Sequence, residues 1–178
     1  MNRKRKVAVI RCSGISLRER MEGDGAGAGD CALWKASYLP GAPGCAYGCL
    51  GGGSCVEVCP RHAISLRENG SAQVDRDMCI GCGKCVKICP QQLIELVPAE
   101  NTIQPFCVSE ADGKETRTSC PAGCIGCGIC EKSCPSGAVC VTDHHARIDQ
   151  ERCIACGMCA ERCPRGVIHD ANGIISIR

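Results

Sequence analysis

Cys79-Ile80-Gly81-Cys82-Gly83-Lys84-Cys85-Val86-Lys87-Ile88-Cys89-Pro90 is the stretch that decides the fold. It spells C-x2-C-x2-C-x3-C-P. At that spacing three thiolates hold one iron–sulfur cluster, while the fourth reaches across to the other cluster of a pair. The spelling recurs at Cys124, Cys127, Cys130 and Cys134-Pro135, and again at Cys153, Cys156, Cys159 and Cys163-Pro164. A stretched copy comes first, at Cys45, Cys49, Cys55 and Cys59-Pro60, with Leu50-Gly51-Gly52-Gly53-Ser54 read as an insertion.

Crossed ligation assigns four sets of four. The first is Cys45, Cys49, Cys55 and Cys89; the second is Cys79, Cys82, Cys85 and Cys59. The third is Cys124, Cys127, Cys130 and Cys163; the fourth is Cys153, Cys156, Cys159 and Cys134. Four [4Fe–4S] clusters are therefore expected. At the stretched run a three-iron or labile cluster is the alternative. Zinc sites usually pair two C-x2-C units across a longer gap. Here a third and a fourth cysteine follow at once, four times over, which favours iron–sulfur.

The remaining composition agrees. The chain has 178 residues, 21 of them cysteine, but one Trp, two Tyr and one Phe, too few aromatics for a large core. Small domains with little apolar burial need metals or staples. No secretory signal and no run of about 18 apolar residues is present, so a reducing, cytoplasmic setting is expected. A net charge of +2 gives no case for nucleic-acid binding. The basic run at residues 3–6 is read as a solvated terminus, with an anionic lipid surface as its other reading. No nucleotide loop, Ser–His–Asp set or motif of paired carboxylates is present. The residues point to electron transfer, not to transformation of an organic substrate.

Repetition organises the rest. Cys59 to Cys89 spans 30 residues and Cys134 to Cys163 spans 29, while Cys85 and Cys159 stand 74 apart. That is a tandem duplication of a two-run unit. Strands are expected at residues 6–12, 63–66, 72–74, 93–97, 139–141, 146–148, 167–168 and 174–177. Hairpin turns are expected at Asn69-Gly70, Asp143-His144-His145 and Asn172-Gly173. The glycines Gly23, Gly25, Gly27 and Gly29 read as a flexible loop, and residues 31–38 as one or two helical turns. The expected fold is α+β, tandem bacterial-type 2[4Fe–4S] ferredoxin domains with small sheets and short helices. Its divisions are an N-terminal strand and glycine-rich segment at 1–44, a first domain at 45–98, a linker at 99–119 and a second domain at 120–178.

Five cysteines are left over. Cys140 reads as a small buried hydrophobe. Cys120 competes with Cys124, but counting back from Cys134-Pro135 selects Cys124. Cys12, Cys31, Cys107 and Cys120 are candidates for one further metal site. His62, His144, His145 and His169 read as exposed or hairpin-capping, and Met78 and Met158 as packing beside the cluster loops. Trp34 and Tyr47 are candidates to shield the first cluster.

Cys45-Ala46-Tyr47-Gly48-Cys49-Leu50-Gly51-Gly52-Gly53-Ser54-Cys55-Val56-Glu57-Val58-Cys59-Pro60 resembles the first ferredoxin run of the B subunit of the Rnf/Rsx electron transport complex. Residues 93–98, 119–127, 9–14 and 29–31 resemble the same family's neighbouring segments, so the likeness covers nearly the whole chain. The resemblance implies relay of low-potential electrons between ferredoxin and NAD(H) within a complex. It implies redox protein partners, a ferredoxin or flavoprotein, and the other Rnf-type subunits. It also implies peripheral attachment on the cytoplasmic face of a membrane. The chain is read as the ferredoxin-bearing region of such a subunit, without the family's usual N-terminal anchor and separate four-cysteine domain. An iron–sulfur subunit of a soluble hydrogenase or oxoacid oxidoreductase, and a free-standing polyferredoxin, are the other readings.

Overall fold

Val7, Ala8, Val9 and Ile10 are all buried, and they form strand β1 (Lys6–Ile10). The structure, a computed structural model, describes residues 5–21 and 29–171. The residue 174–177 strand, the Asn172-Gly173 turn, Gly23, Gly25, Gly27 and the first half of the basic run lie outside them.

After β1 come two helices, α1 (Leu17–Arg20) and α2 (Cys31–Ser37), and then a one-turn helix α3 (Ser54–Glu57). A hairpin follows, β2 (Ile64–Leu66) with β3 (Ala72–Val74), then helix α4 (Lys84–Ile88) and strand β4 (Ile94–Pro98). β1 pairs antiparallel with β4, Val7 opposite Val97 and Ile10 opposite Ile94. The hairpin turn is held as Asn69-Gly70 predicts: Ser71 N–H and Oγ both donate to Asn69 Oδ1, at 3.1 and 2.7 Å.

The second half repeats the scheme. Strand β5 (Ile103–Pro105) is followed by α5 (Gly113–Ser119), the one-turn helix α6 (Ile129–Lys132) and the hairpin β6 (Val139–Thr142) with β7 (His145–Ile148). Helix α7 (Met158–Glu161) and strand β8 (Ile168–Asp170) close it. β5 pairs antiparallel with β8. The hairpin turns on Asp143 and His144, both at positive φ (49° and 62°), the combination that matches strand twist in a two-residue turn.

The chain divides into Met1–Ala99 and Glu100–Arg178. These divisions differ from those read in the sequence. β1 lies in the stretch set apart as an N-terminal segment, and β5 and α5 lie in the stretch read as a linker. β1 completes a two-stranded sheet with β4, and β5 one with β8. The reason is physical: an isolated two-stranded hairpin is marginal in water, and the outer strand pair closes the unit over it. One smaller expectation also differs. Cys140 is exposed on β6, on the strand face turned away from Val139. Of the two readings given to His145, the hairpin-capping one applies: it is 2% exposed, with Nδ1 3.0 Å from the Asp143 carbonyl.

The core of the second unit is small: Ile103, Val139, Ala146, Ala160 and Ile168 pack with Cys130 and Cys159. At its edge Gln104 is wholly buried and exchanges amide hydrogen bonds with Gln150. Gln104 Nε2 donates to Gln150 Oε1 at 3.2 Å, and Gln150 Nε2 donates to Gln104 Oε1 at 3.1 Å. The pair ties β5 to the approach of the last cysteine run. Gln104→Leu leaves the part-buried Gln150 Oε1 without its donor, while Gln150 Nε2 keeps the Ile148 carbonyl, and should destabilise the cluster-loaded protein by about 1–3 kcal/mol. Denaturant melts of this variant, Gln150→Leu and the double variant check it, with a coupling of about 1 kcal/mol expected between the two sites.

Candidate metal centres

The four cysteine runs are bent by one local device. A glycine in the left-handed region precedes a short helix each time: Gly53 (φ 88°) before α3, Gly83 (76°) before α4, Gly128 (72°) before α6 and Gly157 (77°) before α7. Side chains with a Cβ disfavour that φ, so the position suits glycine. The second residue of each helix is the third cysteine of its run. All four, Cys55, Cys85, Cys130 and Cys159, are buried. At the other end of each run, the Cys-Pro sulfur accepts a hydrogen bond from the N–H four residues on. Ala63 donates to Cys59 at 3.3 Å, Leu93 to Cys89 at 3.5 Å, Ala138 to Cys134 at 3.2 Å and Val167 to Cys163 at 3.3 Å. Cys79 receives an N–H from Ala8 of β1 as well, at 3.3 Å.

Chain reversal carries each Cys-Pro cysteine to the neighbouring loop. Cys59, Cys79, Cys82 and Cys85 line one cleft, and Cys124, Cys127, Cys130 and Cys163 line another; each holds about 340 Å³ of empty space, part of it open to solvent. These are the second and third sets drawn from the sequence. Of the fourth set, Cys153 and Cys134 stand close enough for their charge to act on Cys159, and Cys156 is exposed on its loop. The first cleft, of about 410 Å³, brings together Cys49, Cys55 and Cys89. Its further cysteine is Cys31, not Cys45. Trp34 is buried against Leu17 and Leu50, the latter a residue of the cleft wall, whereas Tyr47 is exposed.

The donor chemistry fits an iron–sulfur group. Soft thiolates select such clusters. Among the described residues no three His, Cys, Asp or Glu side chains close on one ion; the sulfurs ring voids, which suits a polynuclear group.

Sequence reasoning overlooked Cys31 at this cleft, though a signal was available. The count back from Cys-Pro that selects Cys124 over Cys120 puts Gly52, in the first run, in the place of the second cysteine.

Protonation follows burial. Desolvation pushes Cys55 and Cys130 up to about 12, and Cys85 and Cys159 up to about 11, with neighbouring thiolates adding to the shift. Cys49 is raised for the same reason. Burial also acts on Cys134, but hydrogen bonds from Ser136 Oγ and the N–H groups of Val139, Ala138 and Ser136 outweigh it and hold this thiol below its ordinary value.

Paired outer strands, an inner hairpin and two runs that exchange a cysteine, all present twice over, define an iron–sulfur protein of tandem dicluster units. The chain belongs to the 4Fe-4S dicluster domain family, whose pattern matches residues 47–93, 78–138 and 123–167. It is 43% identical over 146 residues to the B subunit of the proton-translocating ferredoxin:NAD(+) oxidoreductase complex of Clostridium ljungdahlii, covering 82% of this chain and 51% of that one. It is 38% identical over 148 residues to the B subunit of the Na(+)-translocating ferredoxin:NAD(+) oxidoreductase complex of Acetobacterium woodii, covering 83% and 44%. The B subunit of the ion-translocating oxidoreductase complex of Methanosarcina acetivorans is 38% identical over 109 residues, 61% of this chain and 41% of its own. The chain thus spans about half the length of the curated relatives it matches. It is an iron–sulfur electron-transfer protein homologous to the Rnf B subunit, and its cofactors are [4Fe–4S] clusters.

The raised thiols set a pH dependence with two opposite signs. Buried without a cluster, they hold protons more tightly than an ordinary thiol at 9.0. What burying them as thiols contributes to a compact chain is complete below about pH 9 and is lost as the pH rises through about 11–12. Cluster ligands are thiolates, so assembly must expel those protons and is favoured by rising pH. Reconstitution with ferrous iron and sulfide should therefore release protons beyond a protein-free control, and its yield should fall between about pH 8 and about pH 6.

Proposed function

We propose that this chain carries four [4Fe–4S] clusters, two in each unit, and relays low-potential electrons as the ferredoxin-bearing module of an Rnf-type ferredoxin:NAD oxidoreductase complex. The observation that carries this reading is the exchange of Cys-Pro cysteines: Cys59 lies with Cys79, Cys82 and Cys85, and Cys163 with Cys124, Cys127 and Cys130. The second, third and fourth clusters take the sets assigned from the sequence. The first takes Cys49, Cys55 and Cys89 with one further thiolate. When bound, such a cluster exchanges single electrons at potentials between about −700 and +450 mV. The chain's own contribution is to hold the sulfurs, to donate N–H groups to them and to limit water at each site.

The relatives named above are subunits of ion-translocating complexes, which supports ferredoxin, flavoprotein and other complex subunits as partners. Among the described residues no helix is long and apolar enough to cross a membrane. The reading puts the module on the cytoplasmic face, attached through its partners.

Anaerobically prepared protein should contain about sixteen iron and about sixteen acid-labile sulfide per chain. A redox titration followed by electron paramagnetic resonance should resolve low-potential signals from more than one cluster. Removing the clusters with acid or chelator should abolish cooperative unfolding, because metal ligation and folding are coupled in small metal-dependent domains. A chain with little iron and sulfide that still melts cooperatively would overturn the reading. Co-purification with a soluble catalytic subunit in place of complex partners would overturn its assignment to an Rnf-type complex.

A further inference from the structure

We infer that Cys31, delivered from the start of α2, is the fourth thiolate of the first cluster, and that Cys45 is not a ligand. The inference rests on the cluster reading above and names a ligand that the spacing of the run does not.

The first run is not a stretched one. In the other three runs, cysteines stand four, seven and ten residues before the Cys-Pro cysteine: Cys85, Cys82 and Cys79 before Cys89, and likewise before Cys134 and Cys163. Counted from Cys59, those places hold Cys55, Gly52 and Cys49. The backbone keeps the same register. Gly51, Gly81, Gly126 and Ala155 share positive φ (80°, 65°, 64° and 55°), as do the four glycines that precede the short helices. The loop from Cys49 to Cys55 therefore has the length and shape of the others and lacks only its second thiol.

Cys31 supplies the missing sulfur. A Cβ built on Gly52 would lie 3.0 Å from Cys31 Sγ, so this sulfur occupies the space where a side chain at position 52 would begin. The same Cβ would lie 2.4 Å from the carbonyl oxygen of Gly29. A cysteine at 52 and the segment carrying Cys31 therefore exclude each other, and the chain has one in place of the other.

The delivered segment is tied down along its length. Gly29 N–H donates to the Gly52 carbonyl at 3.0 Å, and Cys31 N–H to Ser54 Oγ at 2.9 Å. Asp30 caps α2 by accepting from Ala32 N–H at 2.7 Å. Lys35 Nζ reaches the Pro90 carbonyl at 2.7 Å, next to Cys89.

Cys45 sits elsewhere. Its sulfur and that of Cys12 lie 3.8 and 3.7 Å from a Cβ built on Gly48, and neither lines the cleft that holds Cys31, Cys49, Cys55 and Cys89. Cys12 Sγ accepts the Cys49 N–H at 3.4 Å, and Arg20 Nη2 binds the Cys45 carbonyl at 3.0 Å.

The test compares Cys31→Ser with Cys45→Ser in anaerobically prepared full chain, read by iron, sulfide and electron paramagnetic resonance. Cys31→Ser should lose up to about a quarter of the bound iron, or convert one cluster to a three-iron form with its own signal on oxidation. Cys45→Ser should keep the wild-type iron content and spectrum. Thiol alkylation of the wild-type protein, mapped by mass spectrometry, provides a measurement that needs no variant. Cys45 should label in the loaded protein, and Cys31 only after the clusters are removed. A full iron content and unchanged spectrum in Cys31→Ser, or labelling of Cys31 with protection of Cys45, would overturn the inference. Wild-type protein with little iron would instead overturn the cluster reading beneath it.

Discussion

A sulfur that leaves its own loop and enters the next one is the constraint on which each unit depends. The apolar core cannot do this work alone. In the second unit it amounts to a few aliphatic side chains around Cys130 and Cys159, so the cluster-site cysteines are themselves part of the packed interior. Two-stranded sheets and one-turn helices are marginal elements by themselves. On the proposed reading, a group held by thiolates from both ends of the unit joins them at short range, and the chain between needs only turns that return it. The repeated details follow from this need: a left-handed glycine, one helical turn that buries the third cysteine, and an N–H aimed back at the Cys-Pro sulfur.

Duplication preserved that plan, and the first run shows how far it tolerates change. Its loop keeps the φ pattern of the others while its second position carries no side chain. The space was not left to solvent. A backbone segment lies against Gly52 so closely that no Cβ fits, and it brings α2 with it. Asp30, Trp34 and Lys35 then each have a role, in capping, in covering and in anchoring at Pro90. A change at one glycine thus accounts for an element that the second unit does not repeat at its matching loop, where Cys127 occupies the position.

Much of this was legible in the residues, and what was not has a common cause. The spacing of Cys79 to Cys89 and its two copies pointed to the cysteines that line the second and third clefts, because they are local in sequence apart from one regular crossing. Asn69-Gly70 and Asp143-His144 gave the hairpins, because turn chemistry is local as well. β5 was hidden in a polar stretch, because three residues carry almost no periodic signal and the strand exists only through its pairing with β8. Cys31 was hidden for the same reason: its relation to Gly52 spans some twenty residues with no spacing rule. His145 looked like a turn residue, yet it is buried; the two positions that need positive φ are Asp143 and His144, and the chain has already turned inward one residue later.

The covering of the first centre bears on the direction in which electrons move. The residue after the first cysteine of a run is Leu50 at that centre, 3% exposed beneath Trp34 and Leu17. The corresponding Ile80 and Ile154 are 59% and 64% exposed. The second cysteines Cys82, Cys127 and Cys156 are exposed, while Cys31 is only partly so. Each added electron increases the negative charge on a cluster, and water stabilises that charge. Exclusion of water at the first centre therefore opposes reduction there, to an extent that N–H donors to its sulfurs offset. The exposed second cysteines leave the second, third and fourth loops open to a docking partner on the proposed reading, whereas the first loop is covered. On the proposed reading, the covering tunes the potential of the first cluster, and the exposed loops carry the exchange with other proteins.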